Sequence, residues 1–425
     1  MNLPACKHQV QGETPGTGRA MPFSRFGPRL AYRLPPASSP FSLKDIWNGA
    51  RGFLDGRAAL ARFEAEVRAF FHADHVLLLS TARAGLAMAL QAFQRMASTR
   101  YKVIIPGYTC WVVPAAVVRA GLEPVACDNA PYSFDYDYDC LESLLALDVL
   151  GVVAQHMFGV PADMDRLRSV VKGRGIFVLE DAAQSMGGKV NGRLLGTMGD
   201  VGIFSLGRGK NLSTVSGGIL TTNNGEIGAN LAAARPALED CPPLQEVVIF
   251  LEALAMASFL HPRRFWFPAL LPWLKLGETL FDLDFPLHSL GGVQAGLSFQ
   301  WVERLERFCQ TRRVHAQYLL NQVPKLRKVC PLAFEEAGNG PRLPCFVADD
   351  QARNALLRDA ARQGLGMALT FPDAVDGIPY FQDAPWRGTL PEARRLARET
   401  VTLPIHPFVS QEDLQRIVNL LQTYL

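Results

Sequence analysis

An acid at the end of an apolar run and a lysine set among glycines and hydroxyls are the residues of this sequence best placed to do chemistry. Asp181 closes the stretch Ile176-Phe177-Val178-Leu179-Glu180. Lys210 follows 29 positions later, between Phe204-Ser205-Leu206-Gly207-Arg208-Gly209 and Asn211-Leu212-Ser213-Thr214. A carboxylate can keep a pyridine-type nitrogen protonated, an amine can hold an aldehyde as a Schiff base, and a nearby hydroxyl, here Ser205, can contact a phosphate. Those are the requirements of pyridoxal 5'-phosphate. A lysine used this way needs its pKa lowered by burial or by neighbouring positive charge, and a glycine-rich loop permits that approach. The competing roles are a helix N-cap for Asp181, over Ala182-Ala183-Gln184, and a solvated surface position for Lys210. A P-loop is excluded, because Asn211 stands where Ser or Thr is required and Phe204 where the first glycine is required. No GxSxG elbow is present. The eight cysteines form no CxxC pair and the histidines show no metal spacing, so no metal is expected.

The elements that must carry these residues alternate between strand and helix. Asp55 to Ala73 has Leu60, Phe63, Val67 and Phe70 on one helical face. Val76 to Leu79 is a short strand delivering Ser80-Thr81-Ala82-Arg83-Ala84-Gly85 into an alanine-rich helix that ends near Ala97. Small residues at the start of a helix form a cradle for an anion, with the backbone N–H groups of Ala82 and Arg83 pointing at it. Strands at Lys102–Ile105, Glu123–Cys127, Val149–Ala154 and Ile176–Leu179 alternate with helices at Val112–Ala120 and Asp165–Val171. The pattern predicts an α/β fold with a mostly parallel central sheet covered by helices on both faces, and ligands at the carboxyl ends of its strands. Ser80, Tyr108, His156 and Asp181 all follow strand ends. Trp111 and Tyr108, after the second strand, offer an aromatic face to a cofactor ring or to the core. His156, after a buried strand, reads as a satisfied histidine lining the pocket.

At 425 residues the chain exceeds one ordinary core. We read a flexible tail over 1–40, a large cofactor-binding domain over 41–240, an apolar insertion or connection over 241–290, and a smaller α+β domain over 291–425, with a long helix at Val293–Leu320 and helices at Asp350–Gln363 and Gln411–Leu425. A net charge of +3 without a basic block argues against a nucleic-acid partner. The first thirty residues lack the continuous apolar core of a secretory signal, which predicts a cytoplasmic protein. Between Val247 and Leu276 an apolar stretch is interrupted by Glu252 and by His261-Pro262-Arg263-Arg264, too short on either side for a spanning helix. It reads as a buried helix and packed loop at a subunit or domain contact, or as a peripheral patch on the inner membrane surface anchored by aromatics and arginines.

With these residues in place, the chain from about Asp55 onward resembles the DegT/DnrJ/StrS family of pyridoxal-phosphate sugar aminotransferases, with a fold like that of aspartate aminotransferase (fold type I). The resemblance is carried by Glu180-Asp181-Ala182-Ala183-Gln184, Gly196-Thr197-Met198-Gly199-Asp200, Ser205, Lys210-Asn211-Leu212-Ser213-Thr214 with Gly217-Gly218, His156 to Gly159, and Leu403-Pro404-Ile405-His406-Pro407. It implies that Lys210 attaches the cofactor, Asp181 pairs with the pyridinium nitrogen, Gln184 lies on the ring's hydroxyl side, and Ser205 with the backbone of Ala82 and Arg83 holds the phosphate. Four places depart from the family pattern. Thr81-Ala82-Arg83 replaces a serine-glycine-threonine turn, Cys110 with Trp111 replaces the usual aromatic, Gly207 stands where the family has a histidine two after the loop serine, and Leu287-His288-Ser289 replaces the motif that reaches the partner subunit's site. The implied activity is transfer of an amino group, with glutamate as donor, to a nucleotide-linked keto sugar for polysaccharide or glycolipid assembly, in a homodimer. The alternatives are the same cofactor acting on a lipid-linked or non-sugar ketone, and a non-catalytic paralogue at a membrane.

Overall fold

The computed structural model describes residues 32–425 except 236–237, 272–273, 275–276, 278–279 and 331–338. Its centre is a seven-stranded sheet. The strands are β1 (His75–Leu79), β2 (Lys102–Pro106), β3 (Glu123–Cys127), β4 (Val149–Gln155), β5 (Phe177–Asp181), β8 (Val201–Ser205) and β9 (Gly218–Thr222); a two-residue hairpin, β6 (Lys189–Val190) and β7 (Arg193–Leu194), lies outside it. The spatial order is β1-β9-β8-β5-β4-β2-β3. β9 pairs antiparallel with both neighbours, and the pairs from β8 to β3 are parallel. One reversed strand in an otherwise parallel sheet satisfies the expectation of a mostly parallel α/β fold.

β4 is wholly buried, which its run Val149-Leu150-Gly151-Val152-Val153-Ala154 requires of a strand covered on both faces. Helices α1 (Leu43–Gly52), α2 (Gly56–Phe71), α3 (Ala82–Met96), α4 (Val112–Arg119), α5 (Tyr138–Leu144), α6 (Met164–Val171) and α7 (Gly225–Ala234) precede the apolar segment, which forms α8 (Pro243–Phe259) and α9 (Pro262–Ala269). α10 (Gly292–Leu297) and α11 (Trp301–Gln322) lead into a three-stranded sheet of β10 (Arg342–Phe346), β11 (Ala368–Leu369) and β12 (Thr400–Pro404), in the order β10-β12-β11.

Three details differ from the sequence reading. β8 and β9 occupy what reads as one glycine-rich loop. Val201-Gly202-Ile203-Phe204-Ser205 is interrupted by glycine and runs on into the glycines and hydroxyls of the Lys210 loop, so it does not announce itself, yet it is buried throughout and backed by Phe71, whose ring stacks on Phe204 at 4.2 Å. The long helix expected over Val293–Leu320 breaks between α10 and α11, where Gln300 takes a left-handed conformation, φ 51°. The tail expected over 1–40 does not hold over its described part, from Tyr32. Residues 1–31 lie outside the described residues, but from Tyr32 onward the chain is packed: Leu34 is fully buried, its N–H reaches the Gly364 carbonyl, and Ser38 and Ser39 are buried beside the Lys210 loop. α1 then starts on a capping box in which Ser42 and Asp45 exchange hydrogen bonds.

Candidate active site

The sheet brings Asp181 and Lys210 to one edge. Asp181 ends β5; its backbone carbonyl accepts from the His156 N–H at 3.0 Å, and its Oδ1 accepts from the Ala183 N–H at 3.0 Å. No helix follows for Asp181 to cap, since residues 183–187 form turns; the carboxylate makes a local turn contact instead, which leaves its second oxygen for another partner. Lys210 lies in the loop between β8 and β9. Ser39 Oγ donates to its carbonyl at 2.5 Å. Arg312, completely buried on α11, donates to the carbonyls of Lys210, Asn211 and Ser38 and to Ser39 Oγ. Sequence reasoning passed over Arg312, because one arginine within a polar helix carries no pattern.

The two groups act on each other without touching. Burial raises the Asp181 carboxyl above its ordinary range, opposed by the Ala183 N–H and by the charge of Lys210. Burial lowers the Lys210 amine below its ordinary range, Arg342 adds to that, and Cys110 and Asp181 oppose it. No ion pair joins Asp181 to Lys210. A carboxylate and an amine held in mutual range but apart, each paying desolvation, fit a cationic ring between them.

Two glycines sit in close contact at this edge. A Cβ at Gly207 would stand 3.3 Å from Ser205 Oγ and 3.9 Å from Lys210 Cγ, and the Gly207 N–H itself donates to Ser205 Oγ at 3.3 Å. A Cβ at Gly218 would overlap the carbonyl of Thr81 and the nitrogen of Ala82. β9 thus lies directly against the start of α3, where Thr81 Oγ1 caps the Ala84 N–H at 3.2 Å. The first-turn N–H groups of Ala82 and Arg83 need partners from outside the helix, as at any helix start. These residues fit pyridoxal phosphate: a hydroxyl and a helix start for the phosphate, a carboxylate for the ring nitrogen and an amine for the aldehyde.

The remaining candidates fall around this pair. The His156 ring is committed to the protein. Ala162 N–H donates to its Nδ1 at 3.0 Å, so the proton sits on Nε2 and is given to Glu180 Oε1 at 2.7 Å. Glu180, fully buried, also accepts from the N–H groups of Gly196, Met198 and Gly199 at 2.5, 2.6 and 2.7 Å. Burial works against the Glu180 charge, yet these donors hold the carboxyl below its ordinary range, His156 foremost. Glu180 therefore fastens the Gly196–Gly199 turn and the His156 turn to the strand that carries Asp181. Gln184 is half-buried, its amide donating to Met157 Sδ at 3.3 Å.

The Arg83 guanidinium pairs with Asp282 at 3.3 Å and lies over the Phe285 ring at 4.7 Å, drawing the segment after α9 to the cradle. Trp111 gives its indole N–H to the Asp373 carbonyl at 3.3 Å, which ties it to the smaller sheet's side. In the same turn, Cys110 is the residue that feels Lys210, Asp181 and Arg83 together. A cavity of about 960 Å³ beside Tyr132, Asp163 and Phe346 is lined by neither Lys210 nor Asp181.

A family model described as "DegT/DnrJ/EryC1/StrS aminotransferase family" matches residues 47–236 and 289–422, leaving out the stretch that holds α8 and α9. A "Spore coat polysaccharide biosynthesis protein SpsC" of Bacillus subtilis is 24% identical over 86% of this chain and 90% of its own length. A "dTDP-3-amino-3,4,6-trideoxy-alpha-D-glucose transaminase" of Streptomyces venezuelae is 25% identical over 85% of each. Among solved structures, the sugar aminotransferase CalS13 from Micromonospora echinospora superposes with a TM-score of 0.74 at 21% identity, covering 92% of this chain and all of that one.

Proposed function

The chain belongs to the DegT/DnrJ/EryC1/StrS aminotransferase family, and from that premise we propose that it moves an amino group from glutamate to a keto sugar carried by a nucleotide, in polysaccharide or glycolipid assembly. It is a pyridoxal 5'-phosphate-dependent aminotransferase. The relatives named for amino-sugar synthesis support the substrate class. The observation that carries the reading is the paired desolvation of Asp181 and Lys210, which act on each other without an ion pair at the sheet edge that also holds Ser205 and the start of α3.

Bound there, pyridoxal phosphate supplies an electron sink and a carbon that accepts and returns the amino group. The protein's residues do the rest. Burial favours the neutral Lys210 amine, the form that can attack a carbonyl carbon and later move a proton between neighbouring atoms. Asp181 holds a proton at the ring nitrogen, where its own desolvation strengthens the attraction. We assign Ser205 Oγ and the N–H groups of Ala82 and Arg83 to the phosphate, and Gln184 to the ring's hydroxyl side. His156 acts one step removed, by positioning Glu180 and hence the strand end.

We assign the protein to the cytoplasm as a homodimer with its sites near the subunit contact. Exposed apolar residues along α8, among them Leu244, Val247, Val248 and Leu251, support that contact. A second reading places α9 at a membrane surface, since Arg263 and Arg264 precede half-exposed Trp266 and Phe267. No helix of the described residues is long and apolar enough to cross a membrane; Trp273 and Leu276 lie outside those residues.

The test is spectroscopic, then preparative. The protein loaded with pyridoxal phosphate is expected to show a visible absorption band that borohydride abolishes, and Lys210→Ala is expected never to show it. A band surviving in Lys210→Ala, or none in the parent protein, sinks the assignment. Incubating nucleotide keto sugars with glutamate and weighing the products then identifies the acceptor.

A further inference from the structure

The loop that carries Lys210 does not hold itself. Gly207 and Gly209 precede the lysine, Gly209 in the left-handed region at φ 71°, and the Lys210 N–H reaches only back to the Gly207 carbonyl at 3.3 Å. Among the described residues the Lys210 amine makes no hydrogen bond and no ion pair. Glycine loses more conformational freedom on folding than any other residue, so a lysine set among glycines needs its main chain fixed from outside the loop.

A strap remote in sequence supplies that bracing. Residues 32–39 run from the later part of the chain to the Lys210 loop. At the far end Tyr32 Oη donates to Asp413 Oδ2 at 2.5 Å, the Leu34 N–H to the Gly364 carbonyl at 2.8 Å, and His406 Nε2 to the Pro35 carbonyl at 2.7 Å. At the near end a Cβ on Gly209 would stand 3.4 Å from Ala37 Cβ, and Ser39, buried, gives its hydroxyl proton to the Lys210 carbonyl at 2.5 Å while accepting from Arg312 at 3.0 Å. The same guanidinium holds the carbonyls of Asn211, Ser38 and Lys210 at 3.0, 3.1 and 3.3 Å, and Asn211 Nδ2 is tied in turn to the Asn339 and Met186 carbonyls at 2.8 and 3.1 Å. None of the acceptors around Arg312 is a carboxylate. Its desolvation is offset by charge-assisted bonds to one stretch of main chain, and what those bonds fix is the backbone at Lys210.

We propose that Ser39, backed by Arg312, is a positioning residue of this active site, whose bond to the Lys210 carbonyl sets where the lysine's Cα stands and therefore where its amine can reach. The proposal rests on the pyridoxal phosphate reading, in which that amine must meet the cofactor's aldehyde carbon. A lysine side chain is a flexible four-carbon stem, so its amine is confined to one reacting atom only if its Cα is fixed. In such a geometry a displacement of about 1 Å costs up to about 100-fold in rate. Ser39 acts through the main chain of Lys210, and the strap that carries it braces the lysine against the elements holding Gly364, His406 and Asp413.

The experiment uses the full chain, stripped of pyridoxal phosphate and then reloaded, as parent, Ser39→Ala, Ser39→Thr and Tyr32→Phe. It reads the rate at which the visible band appears at saturating pyridoxal phosphate, the concentration giving half that rate, and the midpoint of thermal unfolding. Ser39→Ala is expected to slow the band's appearance at saturation by about tenfold, with the half-saturating concentration within about twofold of the parent's. Ser39→Thr, which keeps a hydroxyl, is expected to recover most of the rate. Tyr32→Phe takes a hydrogen bond from the far end of the same strap and is expected to lower the unfolding midpoint while the band appears at the parental rate. A parental rate in Ser39→Ala overturns the proposal. Equal slowing in Tyr32→Phe also overturns it, because the strap would then act through stability alone. A change confined to the half-saturating concentration assigns Ser39 to cofactor binding and overturns the positioning role. A parent protein that never forms the band overturns the cofactor assignment, and the proposal falls with it.

Discussion

At the scale of the residue, the chemistry depends on charges that the protein leaves expensive and on others that it fully answers. Glu180 is answered: a histidine and three backbone N–H groups surround it, so it stays ionised while buried and serves as a fastening point. Asp181, next to it, is answered only in part, and that difference between neighbours is what the proposed function uses to separate a structural acid from one available to a ligand. Removing the histidine tests the distinction. His156→Phe takes one donor from a buried carboxylate, and unfolding by urea near neutral pH is expected to give a stability lower by about 2 kcal/mol. The folded Glu180 carboxyl titrates below its ordinary value of 4.5. Its stabilisation is therefore complete above that value and lost as pH falls through the lowered folded one. The gap between parent and variant should accordingly be widest above pH 5 and narrow toward pH 3. A gap independent of pH would mean that His156 acts by packing alone.

At the scale of the element, the site is made where β9 turns back against β8 and presses Gly218 on the start of α3. A methyl group there has to displace either the Thr81 carbonyl or the Ala82 nitrogen, both backbone atoms, so the strand and the helix start must separate. Gly218→Ala is expected to weaken pyridoxal phosphate by at least about tenfold, read as the concentration needed to restore the visible band in stripped protein. Unchanged affinity would show that the cradle does not hold the phosphate.

This element also marks the limit of what the sequence reveals. The strands of long apolar runs, such as Val149–Ala154, the acid that closes such a run, and the lysine set among glycines and hydroxyls are legible from composition and spacing. β8 and β9 are not, because glycine and hydroxyl residues chosen for close approach to a ligand erase the strand pattern. Arg312 is invisible for another reason: it draws its role from carbonyl partners between 101 and 274 positions away, and no local period records that. The packed stretch from Tyr32 reads as a tail because its contacts lie with Gly364, Pro262 and the Lys210 loop rather than with its neighbours.

At the scale of the whole molecule, the apolar surface sits where it can influence the site. Arg208, in the Lys210 loop, reaches Glu252 on α8 at 3.9 Å, an exposed contact of little energy that nevertheless places α8 beside that loop. From α8 and α9, Leu244, Val247, Val248, Leu251, Leu254, Phe259, Trp266 and Phe267 are exposed in the single chain. A patch of this kind on a chain with only +3 net charge favours association over isolation. The two readings of the patch separate on one pair of substitutions. If it is the subunit contact, Val248→Asp with Leu251→Asp buries two charges at the interface, and sedimentation at micromolar concentration is expected to change from dimer to monomer, with loss of turnover if the partner completes the site. If the patch lies on a membrane, the variant stays dimeric and active, while pelleting with vesicles of anionic lipid, present in the parent, disappears. The subunit contact is the outcome we expect, because a face adjoining the lysine loop has most to offer a second active site. A parent protein that sediments as a monomer and ignores vesicles would refute both.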